Sequence, residues 1–316
     1  RYEKQRNLAD ASGVARISPY LRFGMLSCRR MYHEVRASGG KNVSITFWRR
    51  LTWRDLAYWQ LLLFPQMQEV PIRKHYMGQA WSDDRRALDL WQRGRTGYPL
   101  VDAGMRELWA TGWMAQNVRM VAAVLLCEIL HVHWVEGEKW FYHTLVDADP
   151  AINAMMWQNA GKGGLDQWNF TMHPAKAGRG QDPDGVYVRR WCPELAGLPT
   201  KHLHSPWEAP EQVLRAAAVR LGPGGTYPAR VAADVAERCR QSADAIRAQR
   251  ARAPEWNDGG GYDLITLPRG ATVAHDGQRF RIFTKREFRD TAVGGARSEG
   301  GGAQRRSGAG GGGGDG

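Results

Sequence analysis

Apolar residues recur near the 3.6-residue helical period over 26–35, 46–64, 103–110, 118–133 and 138–146, with polar residues between them. Two later stretches, 211–220 and 231–252, carry the same pattern. Proline and glycine punctuate the intervals at Pro65, Pro71, Gly94, Gly97, Pro99, Gly112, Gly137, Pro150 and 161–164. Strand-like β-branched alternation is nearly missing before residue 260, and nothing repeats at a fixed spacing. Residues 199–210 read as an irregular closing loop. The pattern predicts an all-α domain over 1–252, followed by an extension and tail over 253–316. The extension has a glycine turn at 258–261 and weak strand character over 262–283. The tail has 10 glycines in the 17 residues 300–316, cannot form a core, and is expected to be disordered.

Composition changes this picture little. A chain of 316 residues with 43% hydrophobic and 24% charged residues is of ordinary globular type and can bury one good core, with two domains allowed by length. The apolar run 121–126 is too short to span a bilayer, and 1–6 is polar, without a secretory signal. The first residue is not Met, so a fragment is expected. Cys28, Cys127, Cys192 and Cys239 lie far apart without Cys-x-x-Cys spacing. That argues against a disulfide framework or a metal site and for a reducing, intracellular setting. A net charge of +12 and a pI near 9.8 point to an anionic partner, although a protein that is merely basic fits as well.

The sharper signals lie between Gly94 and Trp157. Arg119 sits among Val118, Met120, Val121 and Ala122, where a buried charge needs a partner, and Asp147 or Asp149 can supply a bidentate one. With Asn153 and a file of tryptophans, this group suits a large, polar, redox-active guest. Upstream, the loop Val14, Ala15, Arg16, Ile17, Ser18 enters a helix start and could present N–H groups and a hydroxyl to a phosphate; Ser18 followed by Pro19 reads equally well as a plain helix cap. Helical spacing places Arg50, Trp53 and Arg54 on one face, which suits an anionic or stacked ligand or a solvated surface.

From about Tyr2 to Arg252 these motifs resemble the FAD-binding half of the cryptochrome/photolyase family; the family's N-terminal α/β antenna domain has no counterpart here. The resemblance implies FAD as cofactor. It puts residues 14–18 at the flavin diphosphate, with Val14 and Ala15 where hydroxyl residues are usual. Tyr2 and Arg54 become flavin contacts, with Gln116 in place of the usual Asn. Arg119 pairs with Asp147 beside the flavin, Ala148 lies between the two acids, Asp149 faces the ring's polar edge, and Asn153 faces its central nitrogen. Trp157, Trp134 and Trp81 match the proximal, middle and distal members of an electron-transfer chain. Asp182 to Trp191, with Pro193 to Leu195, match a family signature that reads as a structural turn entering a helix.

The same resemblance separates repair from sensing. Arg6, Arg50, Trp53, Asn117, Met120 and Asn159 fall where dimer-repairing members hold DNA. Trp53 and Met120 are retained. The dimer-binding Glu is Arg50, a DNA-facing Arg is Asn117, a stacking Trp is Asn159, and 161–166 lacks the histidines of (6-4) photolyases. A plant-like cryptochrome, a blue-light photoreceptor, is therefore expected, in nucleus, cytoplasm or plastid, with an unidentified signalling partner and no membrane. His131, His133 or His143 could join its switch. A DNA photolyase is the second reading, and a nucleic-acid or protein interaction module the third.

Overall fold

The computed structural model describes residues 2–10, 13–39, 44–167, 172–268 and 278–289. These form α1 (Tyr2–Gln5), α2 (Ser18–Arg22), α3 (Cys28–Gly39), α4 (Ile45–Leu63), α5 (Arg85–Gln92), α6 (Pro99–Thr111), α7 (Gln116–Val124) and α8 (Trp134–Thr144). There follow α9 (Pro150–Ala160), α10 (Pro174–Gln181), α11 (Val186–Trp191), α12 (Thr200–Leu203), α13 (Glu211–Ala216), α14 (Val235–Arg252), strands β1 (Leu264–Thr266) and β2 (Arg279–Arg281), and α15 (Arg286–Arg289). The all-α domain is present, with one short antiparallel ladder added. None of the described helices is long and apolar enough to cross a membrane.

Side chains start the helices where the backbone has no partner of its own. Ser44 accepts from Phe47 N–H at 3.1 Å to open α4, and Asp84 from Ala87 N–H at 2.9 Å to open α5. Pro99 and Pro150 occupy first turns, and left-handed Gly112 (φ +69°) closes α6. α6 packs on α7 and α11, while α9 is clasped between α4 and α8. The main core joins Trp91, Tyr98, Val118, Leu126, Trp134 and Phe141; a smaller one joins Ala57, Ala151, Ala154, Met155 and Ile265.

Several boundaries differ from expectation, each for a tertiary reason. The helix predicted over 118–133 leaves α-geometry after Val124, makes a wider π turn over Leu125–Ile129 in which Leu130 N–H reaches Leu125 O, and ends at left-handed His131. Trp91 Nε1 takes the Ala122 carbonyl at that junction, 2.9 Å away. α9 shows no amphipathic period because both sides are covered, so hydrophobic spacing does not reveal it. Ser18 caps nothing: Ile17 is the N-cap of α2, without a side-chain bond. The loop at 199–210 contains the short turn α12, and α13 stops at Ala216 rather than at 220.

The expected extension seats itself on the helical body through Asp263. This carboxylate accepts from Arg250 Nε (2.8 Å), from the Tyr76 hydroxyl (3.1 Å) and from Arg73, and lies 3.0 Å from His75 Nε2. Burial alone would raise the Asp263 pKa; His75, Arg73 and Arg250 outweigh burial and hold it well below the usual carboxylate range. Arg73 also donates to the carbonyls of Gly164 and Phe283, both at 2.6 Å, tying the extension to the loop after α9. The glycine-rich tail, 300–316, lies outside the described residues.

Candidate functional site

A cavity of about 510 Å³ opens between α1, α2, α4, the start of α7 and the α8–α9 turn. Its wall brings together nineteen of the residues singled out from sequence: Tyr2, Arg6, Val14, Ala15, Arg16, Ile17, Ser18, Arg50, Trp53, Arg54, Gln116, Arg119, Met120, Asp147, Ala148, Asp149, Asn153, Trp157 and Asn159. Asn117 is not among them; its amide donates to Asn7 Oδ1 at 3.0 Å. Seven arginines (6, 16, 22, 49, 50, 54 and 119) face three aspartates (147, 149 and 166), so the guest must be anionic.

Arg119 Nη2 donates to both Asp147 oxygens, at 3.1 and 3.0 Å, and its Nε to Met114 O at 2.7 Å. Asp147 also accepts from the Ser18 hydroxyl at 2.7 Å, so that proton is not available to a phosphate. The anion contacts of this loop thus fall chiefly to Arg16, which holds an unfavourable left-handed backbone (φ +49°) and lays its guanidinium over Trp113. Arg22 Nε donates to Ala148 O at 2.5 Å, drawing α2 onto the 147–149 turn. Asp149 begins α9 by accepting from Ala151 and Ile152 N–H. Its other oxygen takes the Tyr58 hydroxyl at 3.0 Å, with Arg54 at 3.6 Å. Burial, then Asp149, pushes the Tyr58 pKa up, so the phenol stays a donor.

Asn153 shows how the wall is oriented. Its Nδ2 donates to Glu138 O and Oε1, both at 3.0 Å, which uses both amide hydrogens. Only the carbonyl oxygen, an acceptor, is left for a guest. Burial pushes the Glu138 carboxyl pKa up, against the Asn153 bond that pulls it down.

Of the three tryptophans, Trp157 and Trp134 are buried and Trp81 is partly exposed. Trp157 lines the cavity and meets Phe141 edge-on, ring centroids 5.0 Å apart. A Cβ on Gly137 would collide with the Trp157 ring, and one on Gly161 with Trp134, so two glycines seat the two buried indoles. Trp134 tilts against His133 at 5.5 Å, and His133 against partly exposed Trp81 at 5.1 Å. Burial lowers the His133 pKa, which keeps that bridging ring neutral at pH 7.

Comparison with known proteins gives the family of this domain. Residues 47–248 match the family described as the FAD binding domain of DNA photolyase. Over 232 residues the chain is 40% identical to deoxyribodipyrimidine photo-lyase of Agrobacterium fabrum, covering 72% of this chain and 48% of the relative. Over 240 residues it is 39% identical to cryptochrome-1 of Arabidopsis thaliana, covering 72% and 35%. The chain belongs to the cryptochrome/photolyase family. A bacterial class III photolyase from Agrobacterium tumefaciens superposes with a TM-score of 0.74 at 36% identity, over 79% of this chain and 52% of that one. A Synechocystis cryptochrome gives 0.71 at 31%, over 77% and 51%. The chain thus spans about half or less of these relatives, and photolyases and cryptochromes match it at similar identity.

As an FAD-binding domain of this family, the chain offers a fitting wall. The cavity is large, cationic and floored by Met114, Met120, Phe141 and Leu145. Trp113 Nε1 is a buried donor on that wall with no hydrogen-bond partner among the described residues, as expected where a guest completes the bonding, while Arg6 Nε lies 3.5 Å from Glu3. Tyr58, Trp113, Phe141 and Glu138 take part in the site, yet sequence reasoning missed them. Trp113 stands in the conspicuous Thr-Gly-Trp turn and was open to discovery; the others carry no local signal.

Proposed function

We propose that the domain serves a blue-light receptor of cryptochrome type. When bound, FAD would supply blue-light absorption and one-electron redox chemistry. Trp81, Trp134 and Trp157 relay an electron inward from the surface, each indole refilled by the next, because indole is among the easiest side chains to oxidise. Neutral His133 and the two seating glycines hold the rings, and Asn153 presents an acceptor that has no proton to give. The observation that carries the reading is the combination of an ordered tryptophan file with a changed substrate wall. Arg50 offers only donors where repair needs a carboxylate, Asn117 is spent on Asn7, and Asn159 Oδ1 is occupied by Asp166 N–H at 3.2 Å.

Repair of pyrimidine dimers is the second reading, favoured by Trp53 and Met120 on the wall and by the arginines that would meet DNA phosphates. Two measurements separate the readings. Under blue light with an external donor, the yellow holoprotein should bleach, and Trp157→Phe should lose at least tenfold in bleaching rate while retaining its flavin. Bleaching undiminished in Trp157→Phe would remove the relay. Light-driven loss of thymine dimers from a damaged oligonucleotide would replace the receptor by a photolyase.

A further inference from the structure

A second cleft, of about 270 Å³, lies between α14, the Leu125–Ile129 turn and residues 285–288, and shares no lining residue with the flavin cavity. Its wall carries four cations, Lys162, Arg240, Arg247 and Lys285, against two carboxylates, Glu128 and Glu287. Both lysines are withdrawn from water, at 3% and 8% exposure, which is costly for an ammonium. Each has one carboxylate of the cleft: Lys162 Nζ is 2.5 Å from Glu128 and Lys285 Nζ 2.6 Å from Glu287.

Arg240 and Arg247 are the surplus. They stand two turns apart on one face of α14. Their partners Glu237 and Asp244 lie on the same helix but not in the cleft wall. Exposed pairs of that kind hold a guanidinium weakly, so either fork can turn to a better anion. The cleft therefore combines net positive charge, two ammoniums already desolvated, and two adjustable forks suited to tetrahedral oxygens. Its size excludes a dinucleotide and admits a phosphate with a short carbon stem lying against Ile246 and Phe288.

We propose that this cleft binds one small phosphate-type dianion, as free phosphate or as a small phosphate monoester. Lys162 belongs to the loop that follows Trp157 and α9, and Lys285 to the extension. A bound dianion therefore clamps the extension onto the end of the flavin wall.

The test uses the FAD-loaded full chain, so that the arginines of the large cavity are already occupied. Inorganic phosphate and, separately, glycerol 3-phosphate are titrated by calorimetry and by thermal unfolding, against chloride at matched ionic strength. One saturable site per chain is expected, with a rise in Tm. The tighter of the two probes names the source. R240Q/R247Q should raise Kd at least about tenfold, leaving FAD content and the phosphate-free Tm unchanged. K285Q, which removes a cation from a different element, should do the same. Absence of saturable binding over chloride overturns the proposal. So does a Kd untouched by R240Q/R247Q, or phosphate that instead competes with FAD.

Discussion

Around Asp263 the partners of a buried charge are all protein: Arg73, His75, Tyr76 and Arg250 close on one carboxylate, none of the five more than 3% exposed. Around Arg119 and Asp147 the chemistry is the same, yet the charges border a 510 Å³ space in which arginines outnumber acids. Desolvating charge is unfavourable in both places, by several kcal/mol per ion or roughly so. At Asp263 the folded chain offsets it by itself, and the result is a staple. At Arg119 the pair with Asp147 borders an open, arginine-rich cavity, and the result is a wall that can take an anionic guest. The difference lies in what the buried charges face, rather than in how many there are.

Mutation can break this contrast. The largest effect is expected at the staple. Asp263→Ala strands two buried guanidiniums and should cost about 3–5 kcal/mol in urea unfolding. A loss under about 1 kcal/mol would mean that the cluster is not a closed unit. Because the native Asp263 pKa lies below its ordinary 3.8, the stabilisation is complete above that range and is lost as pH falls through 3.8 toward the native value. Asp263→Asn should abolish that acid limb of the stability curve.

At the cavity the balance reverses. Asp147→Ala should weaken FAD binding by about 1.5–3 kcal/mol, roughly ten- to a hundredfold, and lower apoprotein stability less than Asp263→Ala does. Unchanged FAD affinity with a large fall in apoprotein stability would make the Arg119–Asp147 pair a second staple. The smallest effect sharpens the picture: Tyr58→Phe removes one donor to Asp149, leaves its cap bonds to α9 intact, and should change FAD affinity by about 1 kcal/mol. A change several times larger would make Tyr58 a direct flavin contact.

Legibility followed the same physical line. Arg119 announces itself because a charge inside an apolar period is anomalous on its face, while Asp147 and Asn153 were legible through the family resemblance. Glu138 is one of two acids on its helix, and only the fold brings its side chain to Asn153. Ser18 reads locally as a cap, but its hydroxyl goes to an aspartate 129 positions away. Asp263 looks like a turn residue in a weak strand, since its partners Arg73, His75 and Arg250 come from two separate segments.

The chain by itself determined the helical class, the polar residues that need partners and the tryptophans capable of relaying charge, because those follow from period, charge and the chemistry of each side chain. Tertiary structure alone decided which buried charges meet protein and which face a cavity. It also decided which end of Asn153 faces the guest, and that residues 254–268 and 278–289 close onto the helical body. Those outcomes depend on long-range pairing, and a carboxylate has the same local sequence whether or not four partners arrive to enclose it.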